Sequence, residues 1–305
     1  MSLYSMLAGK GPNGFGYGST AEDVTEGLDL TGKTFLVTGC NSGLGLETMR
    51  VLTKRGAHVI GTARTAAKAS EAGASVGGKT TGVACELAEP ASVRAAVERV
   101  KSLGTKLDAI VCNAGIMALP KRETAHGYEL QFFTNHVGHF LLVTGLLDQL
   151  ADAGRVVVVS SEAHRQAPPE TIRFDDLGAE KSYSPWVAYG QSKIANILFA
   201  KELARRFEGT KKTANALHPG VIRTNLGRHM GGVASVAFGL VGPLFLKSIP
   251  EGAATETFLA THPSVASTSG LYFSDSNPKK PRRDAEDASK AKKLWEVSEE
   301  IAAKV

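Results

Sequence analysis

The stretch "TFLVTGCNSGLGLETMRVLTKRGAHVIGTAR", residues 34–64, decides the fold. "TFLVTG" is an apolar run of strand length, "GLETMRVLTKRG" carries apolar residues at helical spacing and is closed by glycine, and "HVIGTAR" returns to strand. Strand, helix and strand in so short a span make a βαβ unit, whose two strands run parallel. At the first strand-to-helix turn stands "TGCNSGLG", residues 38–45. Gly39, Gly43 and Gly45 permit a tight turn and close backbone approach, with Asn41, Ser42 and Leu44 between them. The helix start behind them offers unpaired amides, so a dinucleotide phosphate is expected here. The second strand should end on the group that reads the adenosine ribose, where a carboxylate would bond a 2′-hydroxyl. This chain has Ala63 and then Arg64, and a guanidinium suits a 2′-phosphate, so NADP(H) is preferred over NAD(H). The alternative is an Arg64 that simply points into solvent.

The same rhythm continues outward. "TTGVACEL" reads as a strand, "ASVRAAVERVKSL" as a helix, "LDAIVCNAG" as a strand, and "GYELQFFTNHVGHFLLVTGLLDQL" as a helix. "RVVVVSS" is a strand, "AYGQSKIANILFAKEL" (residues 188–203) a helix, and "TANALHPG" a strand. Continuous β-branched runs such as "VVVV" suit strands covered on both faces. The expected fold is therefore α/β: a doubly wound, Rossmann-type parallel sheet in three layers forming a single domain. Residues 1–30 read as an N-terminal extension, in which Ser19 and Glu22 have capping-box spacing, and residues 31–305 as the main domain. No internal repeat or interdomain linker interrupts it.

Bulk properties narrow the function. With 305 residues, 43% hydrophobic and 21% charged, the chain can bury a large core and is not mainly disordered. Net charge is +5, but the basic residues are dispersed except for Lys279, Lys280, Arg282 and Arg283, read as a solvated loop rather than a nucleic-acid patch. Cys40, Cys85 and Cys112 form no C-x-x-C pair, which argues against a disulfide framework or a metal site and fits a reducing, cytoplasmic setting. Neither a secretory signal nor an 18-residue apolar run is apparent.

Tyr189 and Lys193 are four residues apart in a helix whose Ile194, Ile197, Leu198 and Leu203 supply a core-facing side, so phenol and ammonium are neighbours on one face. "TGCNSGLG", "CNAG" at 112–115, Asn135 in "FTNHVGHF", "VVVVSS" ending at Ser161, and "YGQSK" occur in an order that resembles the short-chain dehydrogenase/reductase family. "HGYELQFFTNHVGHFLL", "FDDLGAEKSY", "HPGVIRTNL" and "LWEVSEE" look like its retinol dehydrogenase and WW-domain oxidoreductase branch, while "STAEDVTEGLDL" is similar to chloroplast-import-associated members.

The resemblance implies a tetrad of Asn135, Ser161, Tyr189 and Lys193, with Ser160 facing the other side of its strand. It places Asn113, Ala114 and Gly115 along the cofactor and Pro219, Gly220, Val221 and Thr224 beside the nicotinamide and phosphates. Glu86 stands where the family usually has an aspartate beside adenine, and Leu87 matches. Tyr189 is expected to be the general acid/base, its pKa lowered by Lys193 and by an oxidised nicotinamide. Lys193 would also hold the ribose hydroxyls, Ser161 would donate to the substrate oxygen, and Asn135 would hold a water leading from Lys193 to solvent. His136, His139 and His164 are read as structural, and Asp175 and Asp176 as turn residues. The apolar "MGGVASVAFGLVGPLFL", residues 230–246, is expected within a substrate lid at about 225–250, pointing to a lipophilic alcohol, aldehyde or ketone as substrate, with peripheral membrane contact as its alternative use. An NADP(H)-sensing regulator and a protochlorophyllide-type ring reductase are the competing functions.

Overall fold

A computed structural model describes residues 9–222 and 246–305. Thr224 and most of the expected lid lie outside these residues. Eight strands form one sheet: β1 (Thr34–Thr38), β2 (His58–Ala63), β3 (Lys79–Ala84), β4 (Leu107–Cys112), β5 (Leu150–Val159), β6 (Thr213–His218), β7 (Tyr272–Ser274) and β8 (Asn277–Pro278). Their spatial order is β8-β7-β6-β5-β4-β1-β2-β3, and every pairing is parallel except the closing β7–β8 ribbon. Strand order reverses between β1 and β4, and a doubly wound sheet opens its ligand crevice at that point.

Alternation within the strands distributes the core. Leu36, Ile110, Cys112, Val156 and Val158 face one apolar cluster with α3 (Pro90–Lys101), the helical segment running from Leu130 to Gly145 (α4), α5 (Pro185–Arg206) and α7 (Ala288–Lys304). Phe35, Val37, Ala109, Val111, Val157 and Val159 face the other, with α1 (Gly43–Lys54), α2 (Ala66–Val76) and α6 (Ile249–Thr261). Burying both faces explains why these strands lack the polar alternation of a half-exposed sheet.

Several sequence expectations shift in detail. The long helix expected from Gly127 to Leu150 begins only at Leu130, after a two-stranded ribbon of Thr124–Ala125 and Tyr128–Glu129, and ends at Gly145. Its middle, Phe133–Val137, is a π-helical turn, which inserts one extra residue and changes which side chains face inward. The capping box is not Ser19 with Glu22 but Thr20 with Asp23: Thr20 N–H donates to Asp23 Oδ2 at 2.8 Å, and Asp23 N–H to Thr20 Oγ1 at 3.2 Å. Glu22 pairs instead with Arg50 and Lys54 on α1, and Ala21 N–H bonds Pro250 O, so the extension is tied to α1 and to the start of α6. Ile222 and Lys247 form a parallel bridge, and buried Lys247 pairs with Asp275 at 2.5 Å after β7. Residues 246–250, assigned to the lid from sequence, belong to this bridge and to α6, which Ser248 and Glu251 cap reciprocally.

Candidate active site

The crevice at the β1/β4 switch is a cleft of about 670 Å³ lined by the residues expected to hold a dinucleotide, among them Gly39, Asn41, Ser42, Arg64, Glu86, Leu87, Asn113, Ala114 and Gly115. Gly45 is required for its shape: a Cβ there would stand 2.5 Å from both Asn113 Nδ2 and Gly39 O. Gly39 and Gly43 have φ of +69° and +58°, and the space above Gly43 is open. Ser42 makes no side-chain cap bond to α1, leaving the first amides of that helix for an anion. Asn113 ties the walls together by donating its side-chain amide to Thr38 O at 2.7 Å. Arg64 follows β2 at the far end, exposed and with no ion-pair partner among the described residues. Glu86 turns its carboxylate to its own loop, accepting from Ala88 N–H at 3.3 Å, while its amide donates to Ser92 Oγ. Glycine cradle, helix start and free guanidinium together fit a phosphate-rich dinucleotide.

A second cavity of about 480 Å³ adjoins the first and shares Asn113, Gly115 and Ile116 with it. Ser161, Tyr189 and Lys193 meet there, together with Leu44, Pro219, Gly220 and Val221. The meeting depends on Gly190, where a Cβ would come within 2.7 Å of Ala163 O and Ala167 N; its absence lets α5 lie against the turn that follows Ser161. Ser161 Oγ accepts from Ala163 N–H at 3.2 Å and shares the cavity with the Tyr189 phenol. Ser160 is buried and donates to Lys193 O at 2.6 Å, so its hydroxyl is committed to α5 although the residue also lines the cavity.

Burial governs the electrostatics of the Tyr189–Lys193 pair. Burial pushes the Tyr189 phenol up to about 12, with the Ser161 hydroxyl pulling the other way. Burial likewise pushes the Lys193 amine down to about 8. Lys193 Nζ lies 5.7 Å from the Tyr189 ring centre and donates to Val159 O at 3.0 Å. Both groups are buried, so desolvation outweighs the attraction that helical spacing alone suggests. Asn135 is fully buried and spends its side chain on neighbouring groups. Its Oδ1 accepts from Ile116 N–H at 2.8 Å, and its Nδ2 donates to Ile116 O and Ser192 Oγ, both at 2.9 Å. Its side chain is committed to the loop that separates the two cavities.

Comparison with known proteins settles the ancestry. Residues 33–174 match the short chain dehydrogenase family. Retinol dehydrogenase 14 of Homo sapiens is 43% identical, covering 88% of this chain and 86% of that protein, and the chloroplastic short-chain dehydrogenase TIC 32 B of Brassica napus is 39% identical over 98% of each. The chain belongs to the short chain dehydrogenase family. A crystal structure from Mycobacterium paratuberculosis superposes with a TM-score of 0.71 at 33% identity, covering 92% of this chain and 97% of its own. A metagenomic blue fluorescent protein in complex with NADPH gives 0.64 at 25% identity, covering 80% and 96%. The protein is thus a short-chain dehydrogenase/reductase, an oxidoreductase acting on CH–OH or C=O groups, in a family that uses NAD(P)(H).

Around the site of this dehydrogenase the remaining candidates take structural places. His136 bonds Ser298 Oγ at 2.8 Å among Phe132, Phe140 and Phe199, and burial pushes it down to about 3. His164 bonds Ser161 O through Nδ1 at 2.7 Å and accepts Arg282 N–H at Nε2, so it braces the turn behind Ser161. Asp176 accepts the amides of Glu180 and Lys181, a turn role as expected, and Asp175 pairs with Lys181 at 2.5 Å. In the basic run Lys279, Lys280 and Arg283 are exposed, while Arg282 donates to the carbonyls of Ala167 and Pro168 and pairs with Asp284. Burial pushes the thiols of Cys40 and Cys85 up to about 11 and 12, and Cys112 higher still; all are free, and no metal-binding cluster occurs among the described residues. No described helix is long and apolar enough to cross a membrane.

Sequence reasoning missed the rim. Met117, Trp186 and Val221 are 40%, 46% and 50% exposed, three of the four large hydrophobic residues so exposed among the described residues, and all three line the second cavity. Trp186 stands just before Tyr189 on the same helix, at 6.2 Å from its ring, where a lone exposed aromatic in the sequence carried a signal that went unread.

Proposed function

We propose that this dehydrogenase interconverts a lipophilic alcohol with its aldehyde or ketone using NADP(H). The observation that carries the reading is the junction of the two cavities: a phosphate-fitting cleft opens, across Asn113 to Ile116, into a chamber where Ser161, Tyr189 and Lys193 stand under an apolar rim. Exposed apolar side chains cost free energy in water and are relieved by an apolar ligand. The named activity of retinol dehydrogenase 14 supports a lipophilic substrate, and Arg64 supports the 2′-phosphate form of the cofactor.

The dinucleotide, when bound, donates or accepts hydride and in its oxidised form brings a positive charge beside the phenol. The chain supplies the rest. In reduction, Ser161 donates to the carbonyl oxygen where negative charge gathers, and the Tyr189 phenol, held protonated by burial, gives its proton to that oxygen. In oxidation the phenol must first ionise, which Ser161 and a protonated Lys193 favour. Lys193, anchored on Val159 O, orients the ribose hydroxyls, and Asn135 holds the Ile116 loop in place. The test is NADPH consumption against a panel of long-chain and ring-bearing aldehydes and ketones, comparing wild type with Tyr189→Phe. Turnover abolished in the variant supports the reading; NADPH binding with no turnover across the panel supports a sensor instead.

A further inference from the structure

The motif "FTNHVGHF" contains a histidine to which the chemistry above gives no task. His139 is 1% exposed and follows the π-helical turn. Its Nδ1 lies 2.9 Å from Asn135 O, and a carbonyl only accepts, so Nδ1 carries the proton. Nε2 is then an acceptor, and the Thr38 hydroxyl, 2.9 Å away, donates its single hydrogen to it; the other acceptor in range, Val111 O, is farther at 3.4 Å. With its hydrogen so directed, Thr38 Oγ1 presents lone pairs to the amides of Asn113 and Ala114, each at 3.0 Å.

One ring therefore sets the direction of a buried chain of hydrogen bonds that begins at two amides beyond β4 and ends on the Asn135 carbonyl. At one end is the wall shared by both cavities. At the other is the turn whose Asn135 side chain clamps Ile116 in that same wall. We propose that His139 is a positioning residue: by accepting from Thr38 it fixes the loop from Asn113 to Ile116 in the shape that receives the dinucleotide beside Tyr189. This rests on the reading of the cleft as a dinucleotide site. A histidine that only filled the core would matter through its volume; this one matters through an acceptor at Nε2.

Two substitutions separate those roles. His139→Asn retains a donor for Asn135 O but is too short to reach Thr38, whereas the carbonyl of His139→Gln extends toward the Nε2 position and can still accept. NADPH affinity is measured by fluorescence titration, and backbone exchange of residues 107–117 by mass spectrometry on the cofactor-free chain. H139N is expected to speed exchange at 113–115 and to weaken NADPH about tenfold, the scale of one or two lost hydrogen bonds. H139Q should stay within about threefold of wild type on the same scale. Thr38→Val, which conserves side-chain shape, should reproduce H139N, and Thr38→Ser should restore affinity; these two carry the test if a histidine variant fails to fold. Equal affinity and equal exchange in H139N, H139Q and T38V, with only the melting temperature lowered, overturns the proposal. If wild type itself binds neither NADPH nor NADH, the cleft reading fails first, and the positioning role falls with it.

Discussion

The two cavities are built from different materials. The cleft at the β1/β4 switch is shaped by backbone: glycines that let chains approach, the start of α1, and the Thr38 carbonyl that receives the Asn113 amide. The adjoining chamber is made of side chains whose ionisation is displaced by burial, with an apolar rim above them. The glycine turn is set largely by local sequence, so that part of the first could be read from "TGCNSGLG" between its flanking strand and helix. A displaced pKa is set by everything packed around the group, and helical spacing cannot report it. Binding should therefore follow the glycines and turnover the side chains.

Tyr189→Phe should have the largest effect, lowering kcat/KM on the order of a thousandfold while leaving the NADPH dissociation constant within about twofold. If steady-state kinetics and titration showed both failing together, the division between cleft and chamber would collapse. Gly45→Ala should do the reverse, weakening NADPH about a hundredfold because its Cβ collides with Asn113 and with the Gly39 carbonyl, as titration of the folded variant would show.

The cleft side also carries a displaced carboxyl, which sharpens the contrast. Burial raises Glu256 on α6 to about 7, opposed by the hydrogen bond from Thr48 on α1. The folded chain thus keeps a proton that the unfolded chain releases above about 4.5, so this group lowers stability as pH rises from there to about 7 and then levels. Glu256→Gln should remove the loss, gaining about 3 kcal/mol over wild type in urea melts at pH 8 and almost nothing near pH 4. His139, pushed down to about 4, acts oppositely, costing stability as pH falls below its ordinary 6.5, and is unchanged in that variant. Next in size, Arg64→Asp should shift the NADPH-to-NADH preference by about tenfold or more toward NADH. An unchanged ratio of dissociation constants would remove the 2′-phosphate assignment. Trp186→Ala should have the smallest effect, raising KM for lipophilic carbonyls about fivefold with kcat little changed, since the indole is only half covered.

What the sequence made legible follows the same line. β1, α1, the strand ending at Ser161 and the Tyr189 helix were readable because each is a local run with strong periodicity or a continuous apolar stretch. α2 went unassigned because "AAKASEAGASV" is alanine, glycine and serine with little apolar face. α6 and α7 went unassigned although Ser248 with Glu251 and Asp287 were available as caps. The upward shift of Tyr189, the commitment of Asn135 to Ile116 and the link from His139 to Thr38 all depend on partners far along the chain. At the basic run composition was right for the exposed Lys279, Lys280 and Arg283, while Arg282 proved to be a bracket between loops.

The bridge between Ile222 and Lys247 has a practical consequence. The chain leaves the sheet after β6 and returns for α6 at a single doorway, bolted by the Lys247–Asp275 pair. Breaking the pair with Lys247→Met should therefore unfasten Ile222 and the start of α6 together, as backbone exchange at both would show.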